Sequence, residues 1–151
     1  MINQDYKEIL QCLEKHDVTY MLVGAYAMAA HGFPRSTGDI DIWVNPAGEN
    51  SIRVYRALAE FGAPLSEISE RTFSYPGIVF QIGIAPCRID MLTRISGDID
   101  FLEAYKNCIT ANIEGVVVKV LSVSDLIKNK ESIGRAKDLD DVVALRKIHP
   151  T

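Results

Sequence analysis

Apolar residues recur at helical spacing over roughly residues 3–16, with Tyr6, Ile9, Leu10 and Leu13 on one side, and this predicts an amphipathic helix. The run Thr19-Tyr20-Met21-Leu22-Val23 predicts a buried strand ended by Gly24. Ala25 to Ala30 is rich in helix formers and is bounded by Gly32 and Pro34, so a short helix is expected there. From Ile40 to Val44 an acidic residue sits among apolar ones in a strand-like run, which Asn45-Pro46 stops. Ser51 to Phe61 predicts a second amphipathic helix, with Ile52, Tyr55, Leu58, Ala59 and Phe61 toward the core.

Farther along, Thr72–Tyr75 and Gly77–Gly83 predict short strands or a hairpin around Pro76-Gly77, and residues 65–70 carry no clear pattern. Arg88 to Leu92 predicts a strand, followed by a short helix near 99–106. Asn112 to Gly115 separates Cys108-Ile109-Thr110 from the β-branched run Val116–Val120. Two helices, roughly 123–133 and 136–147, break near Gly134, and Ser122-Val123-Ser124-Asp125 opens the first as a capping box. A strand-rich middle flanked by helices indicates an α/β (α+β) fold with a mixed sheet.

Composition changes this picture little. At 151 residues, 48% hydrophobic and 24% charged, the chain is expected to form one domain over 1–151. A net charge of −4 argues against tracking along duplex DNA, which calls for a basic surface. The three cysteines, Cys12, Cys87 and Cys108, are scattered without a CxxC pair, so buried thiols are expected rather than a zinc site. No leader-like start or membrane-length apolar run is present, and a cytoplasmic location without membrane contact is expected.

Chemistry concentrates at Asp39-Ile40-Asp41. Residues i and i+2 of a strand share a face, so the two carboxylates project side by side, roughly 6.6 Å apart at about 3.3 Å per residue. Like charges so close repel unless a cation lies between them. Oxygen-only ligands suit Mg²⁺, whose usual second partner is a nucleotide phosphate. Asp90, between Ile89 and Met91, is the candidate third carboxylate on a neighbouring strand, and two Mg²⁺ ions bridged by such a set could clamp attacking and leaving oxygens. The second Asp-Ile-Asp, at 98–100, precedes a helical segment and reads as a cap. Gly24 ends a strand where Ala25 opens a helix, and exposed amides at such a turn suit a triphosphate.

These residues, from Val23-Gly24 through Ala27, His31, Gly32, Arg35 and Thr37 to Asp39 and Asp41, resemble the nucleotidyltransferase superfamily of DNA polymerase β. They are most similar to the pattern of small AbiEii-type bacterial proteins. The resemblance spans roughly residues 18–146, including Leu121–Lys130 and Gly134–Val142. It implies a minimal nucleotidyltransferase fold with two C-terminal helices. It also implies transfer of an NMP from an NTP to a hydroxyl acceptor, with Asp39, Asp41 and Asp90 as catalytic and metal-binding residues. Lys130 and Lys137 become phosphate ligands beside Gly24 and Ala25, and Asp138 and Asp141 orient them by i,i+3 or i,i+4 pairing. RNA, a protein side chain or a small molecule would serve as acceptor, and an antitoxin partner or a homodimer is compatible with the group. Ala25 stands where the superfamily has Gly or Ser, so a nucleotide-binding or protein-interaction module that has lost turnover is the alternative.

Four residues near the motif carry more than one reading. Arg35 either contacts a phosphate, or pairs with an aspartate when metal is absent, or is a solvated loop arginine, and Thr37 either stabilises the turn into the strand or contacts phosphate. His31 suits a helix C-terminus, with general-base work as the alternative. Trp43 shares the face of Asp39 and Asp41, where it either packs into the core or stacks on a base.

Overall fold

The computed structural model, which describes residues 3–34 and 38–148, is built around one six-stranded mixed sheet. Its strands are β1 (Tyr20–Val23), β2 (Ile40–Val44), β3 (Val79–Ile82), β4 (Ile89–Leu92), β5 (Ile109–Ile113) and β6 (Val116–Val120), in the order β3-β4-β2-β1-β6-β5. The pairs β2/β4 and β1/β6 run parallel, while β1/β2, β3/β4 and β5/β6 are antiparallel. The helices are α1 (Gln4–Lys15), α2 (Gly24–Ala30), α3 (Gly48–Phe61), α4 (Phe101–Lys106), α5 (Val123–Ile133) and α6 (Ala136–Ile148). This is the expected α/β class, and nearly every expected element is present.

At 12 residues α1 is too short to persist alone in water. Its position comes from burial of Tyr6, Ile9, Leu10 and Leu13, the four residues predicted from spacing. Each such side chain contributes roughly 1.5–3 kcal/mol when fully buried. Asn3 caps its start by accepting from the Asp5 amide at 2.7 Å. Ile40 and Ile42 of β2 point into the core, leaving the Asp41 side chain on the other face.

Three local expectations are corrected. The buried face of α3 is Asn50, Ser51, Val54, Ala57 and Leu58, so only Leu58 of the predicted set is fully buried and Ala59 is exposed. Polar anchors set this rotation: the Asn50 amide donates to the Thr19 and Asn45 carbonyls and accepts from the Thr19 amide, and Ser51 donates to the Glu70 carbonyl. Of the short strands or hairpin expected around Pro76-Gly77, the strand Val79–Ile82 forms but no hairpin closes at Pro76-Gly77. Thr72–Ser74 is a 3₁₀ turn, and Thr93 takes over part of the ladder, its hydroxyl accepting from the Ile78 amide and donating to the Tyr75 carbonyl, each at 2.8 Å. Finally, His31 does close α2 at its C-terminus as expected, but through its backbone N–H, and its ring does not return to its own helix. Its Nε2 lies 2.8 Å from the Leu121 carbonyl just past β6, fastening the end of α2 to the sheet.

Trp43 resolves to core packing, 1% exposed and edge-on to Phe101 at 5.0 Å between ring centroids. Asp100 caps α4, its carboxylate accepting from the Glu103 amide, as read from the second Asp-Ile-Asp. Among the described residues no helix is long and apolar enough to cross a membrane.

Candidate active site

An open cleft of about 930 Å³ lies over the carboxylate-bearing face of β2 and β4. Register explains why the acids meet there. Asp41 pairs with Asp90 across the parallel β2/β4 ladder, and Asp39 precedes Asp41 by one pleat. On the other side Val23 of β1 pairs with Asp41, which brings the Gly24 turn alongside the same carboxylate.

Gly24 is dictated by this contact. Its φ is +66°, and a Cβ built there would stand 2.4 Å from Asp41 Oδ2. Gly24→Ala is therefore expected to push the Asp41 carboxylate aside and to cost roughly 2 kcal/mol of stability. A thermal melt of the variant, with and without Mg²⁺, checks both effects.

A residue that sequence reading passed over organises the acids. Arg88 donates from Nε to Asp90 Oδ1 at 2.7 Å and from Nη2 to Asp90 Oδ2 at 3.1 Å, and Nη2 lies 3.1 Å from Asp39 Oδ2. Its backbone amide also donates to Asp39 Oδ1 at 3.2 Å. The loop carrying it is fastened by Tyr6, whose hydroxyl donates to the Gly38 carbonyl and lies 3.1 Å from that of Arg88. Burial and the neighbouring Tyr26, Cys87 and Asp39 keep that hydroxyl protonated.

Asp41 carries the electrostatic consequence. Burial first, then the charge and hydrogen bond of Asp90 and the charge of Asp39, push its pKa up to about 7 against the opposing pull of Arg88. Arg88 supplies the positive charge in contact with Asp39 and Asp90. Among the described residues no group of three acidic, histidine or cysteine side chains stands ready-made in metal-ligating geometry. The chemistry of the donors still fits a hard divalent cation: Asp39, Asp41 and Asp90 all line one cleft and offer only oxygen ligands.

The facing wall comes from α5 and α6. Lys130 is 7% exposed, with its Nζ 2.8 Å from Asp141 and 3.6 Å from Asp138. The expected i,i+3 or i,i+4 support of the lysines is corrected here, because these pairs bridge two helices. The local partner of Asp138 is Arg135, the residue just before α6, at 2.6 Å. Burial works to raise the Asp138 pKa, but Arg135 hydrogen bonds and the charges of Arg135 and Lys130 hold it below the ordinary value. Ala25, Lys137, Arg94, Ser96 and Asn129 also line the cleft. His31 lines a separate, smaller hollow beside Ser122 and Lys128. The proposed ligands Arg35 and Thr37 lie outside the described residues.

Raised affinity of Asp41 for a proton has a sign that can be worked out. Its folded pKa lies above the ordinary value of 3.8, so this group's contribution to stability is fully present below about pH 4 and is gone by about pH 7. A cation at the carboxylates must displace that proton below pH 7. Stabilisation by Mg²⁺ is accordingly expected to be larger at pH 8 than at pH 6, a difference that melts at the two pH values would reveal.

No protein-family model matches the chain, and no curated protein matches it in sequence. Solved structures do match it. A protein from Thermotoga maritima (TM1012), described as a nucleotidyltransferase by assignment, superposes with a TM-score of 0.64 at 18% identity, covering 99% of this chain and 96% of that one. The antibiotic-resistance factor ANT(2″)-Ia gives 0.64 at 16% identity, covering 95% and 81%. The lincosamide antibiotic adenylyltransferase LnuA, bound to lincomycin, gives 0.64 at 15% identity, covering 98% of both chains. The chain therefore has the nucleotidyltransferase fold.

Proposed function

We propose that this chain is a Mg²⁺-dependent nucleotidyltransferase that moves an NMP from an NTP to a hydroxyl acceptor. The observation that carries the reading is the meeting of Asp39, Asp41 and Asp90 in one cleft, opposite Lys130 and Lys137, on a nucleotidyltransferase fold. LnuA and ANT(2″)-Ia, the latter also solved with adenylyl-2″-tobramycin, support NMP transfer as the chemistry. The reading takes residues 1–151 as one domain, supported by the single sheet and its continuous core. The closeness to AbiEii-type proteins and a toxin–antitoxin setting with an antitoxin partner or homodimer belong to the same proposal, supported by the Gly24-to-Asp41 motif; a cytoplasmic location is proposed with them, and among the described residues no helix is long and apolar enough to cross a membrane.

Held by Asp39, Asp41 and Asp90, Mg²⁺ would supply charge neutralisation and alignment of phosphate oxygens. The chain's own residues have distinct tasks. Gly24, by lacking a side chain, leaves the backbone next to Asp41 open to a phosphate, with Ala25 beside it. Lys130, fixed by Asp138 and Asp141, and the exposed Lys137 attract the triphosphate. Arg35 and Thr37 complete the phosphate set in this reading. Asp90 takes the proton as the acceptor oxygen bonds to the α-phosphorus and the bond to pyrophosphate breaks. Positioning and fixed charge provide most of the rate.

The test is incubation with Mg²⁺, each labelled NTP in turn, and total RNA or cell extract. Label transfer with pyrophosphate release, abolished by Asp39→Ala, is the expected result. Thermal stabilisation by NTP with neither transfer nor pyrophosphate release would instead identify a binding module, the reading that Ala25 favours.

A further inference from the structure

From the charge arrangement of the cleft wall we infer the class of acceptor: one that carries a phosphate near its reacting hydroxyl, held by Arg94. This inference rests on the transferase reading above. Arg88, Asp90, Leu92 and Arg94 all line the cleft, occupying alternate positions along β4 and its continuation. Arg94 therefore lies beyond Asp90 by roughly 13 Å of extended chain, and it lines the cleft together with Ile95, Ser96 and Asn129.

Every acid lining the cleft is already engaged. Asp39 and Asp90 bind Arg88, Asp41 hydrogen-bonds to Asp90, and Asp138 and Asp141 bind Lys130, with Asp138 also held by Arg135. Arg94 differs from the other arginines of the cleft. It is exposed and forms no ion pair among the described residues, and its guanidinium lies over Gly77, where an added Cβ would stand 3.1 Å from Nη2. A polycationic acceptor entering here would meet an unpaired guanidinium and no spare carboxylate. A phosphate would meet a planar donor fork suited to it. Because the whole chain is acidic, the contact favours a short segment or a small phosphorylated molecule over a long duplex.

The experiment separates these sources and the underlying reading. Binding of a fluorescent single-stranded oligoribonucleotide lacking its 3′-hydroxyl is measured by anisotropy, with a nucleoside 5′-monophosphate, the matching nucleoside and tobramycin as competitors. Wild type, Arg94→Ala and Arg94→Lys are compared, with NTP-dependent thermal stabilisation recorded for each. The inference expects Arg94→Ala to weaken oligonucleotide binding at least tenfold while leaving NTP stabilisation unchanged, and Arg94→Lys to restore part of the loss. Competition by the monophosphate but not the nucleoside identifies phosphate as the recognised group. Displacement by the monophosphate at a concentration near that of the oligonucleotide points to a small acceptor, and displacement only at far higher concentration to a nucleic-acid end. Equal binding by wild type and Arg94→Ala, no oligonucleotide binding at all, or displacement by tobramycin with the monophosphate inert would overturn it. Absence of NTP stabilisation in wild type would instead strike the transferase reading itself.

Discussion

Asp41→Asn is expected to lower nucleotidyl transfer at least a thousandfold, about 4 kcal/mol of transition-state stabilisation, while the folded protein becomes no less stable. The two effects have one cause. Asp41 sits where Asp90 and Asp39 already crowd negative charge, and in the absence of a cation it keeps its proton up to about pH 7. An amide there removes a ligand from the proposed Mg²⁺ set and also removes the repulsion. Metal-free melts should thus show the variant gaining on wild type as pH rises from about 4 to about 7, and holding that advantage at pH 8. Wild type should recover when Mg²⁺ is added and the variant should not. A variant that retains transfer, or one that loses stability at pH 8, would contradict the assigned role.

Lys130→Met is expected to produce the largest loss of stability, roughly 3 kcal/mol, because one partner of a buried charge cluster is removed while the others remain. Asp138 is fully buried and Asp141 is 2% exposed, and both lie against Lys130 between α5 and α6. Asp138 keeps Arg135, so the penalty should fall mainly on Asp141. For a domain of this size the loss corresponds to a fall in Tm of roughly 6–12 °C. Pairing the change with Asp141→Asn should return part of it, and the double variant should still lack the cation assigned to the triphosphate. NTP binding should therefore stay weak even where stability is rescued, which separates the structural role of Lys130 from its binding role.

Much of this arrangement was legible in the chain because its signals are local. Alternation in Asp39-Ile40-Asp41 and in Ile89-Asp90-Met91 assigns faces without knowledge of neighbours, and the structure places all three acids in one cleft. The α1 face was legible for the same reason, four apolar residues at unbroken helical spacing. What escaped depends on long-range partners. Nothing in the sequence near Arg88 says that its fork reaches Asp39, 49 positions earlier; the β2/β4 register decides that. The α3 face was misjudged because Asn50 and Ser51, polar and seemingly outward, are drawn inward by carbonyls at Thr19, Asn45 and Glu70. Lys130 was legible as a cation of the site but its partners were not, since they lie across a helix junction at Gly134. Trp43 shows the limit of strand parity, since the face it shares with Asp41 is open at the acid and closed by Phe101 at the indole.

The central claim is that Asp39, Asp41 and Asp90 together take up a nucleotide only with its magnesium. Calorimetric titration of a non-hydrolysable NTP into the protein at pH 8, with Mg²⁺ and then with excess chelator, tests it most directly. Saturable binding that requires Mg²⁺ and disappears in Asp41→Asn is the predicted outcome. Binding of equal strength with and without the metal, or none under either condition, would contradict the account.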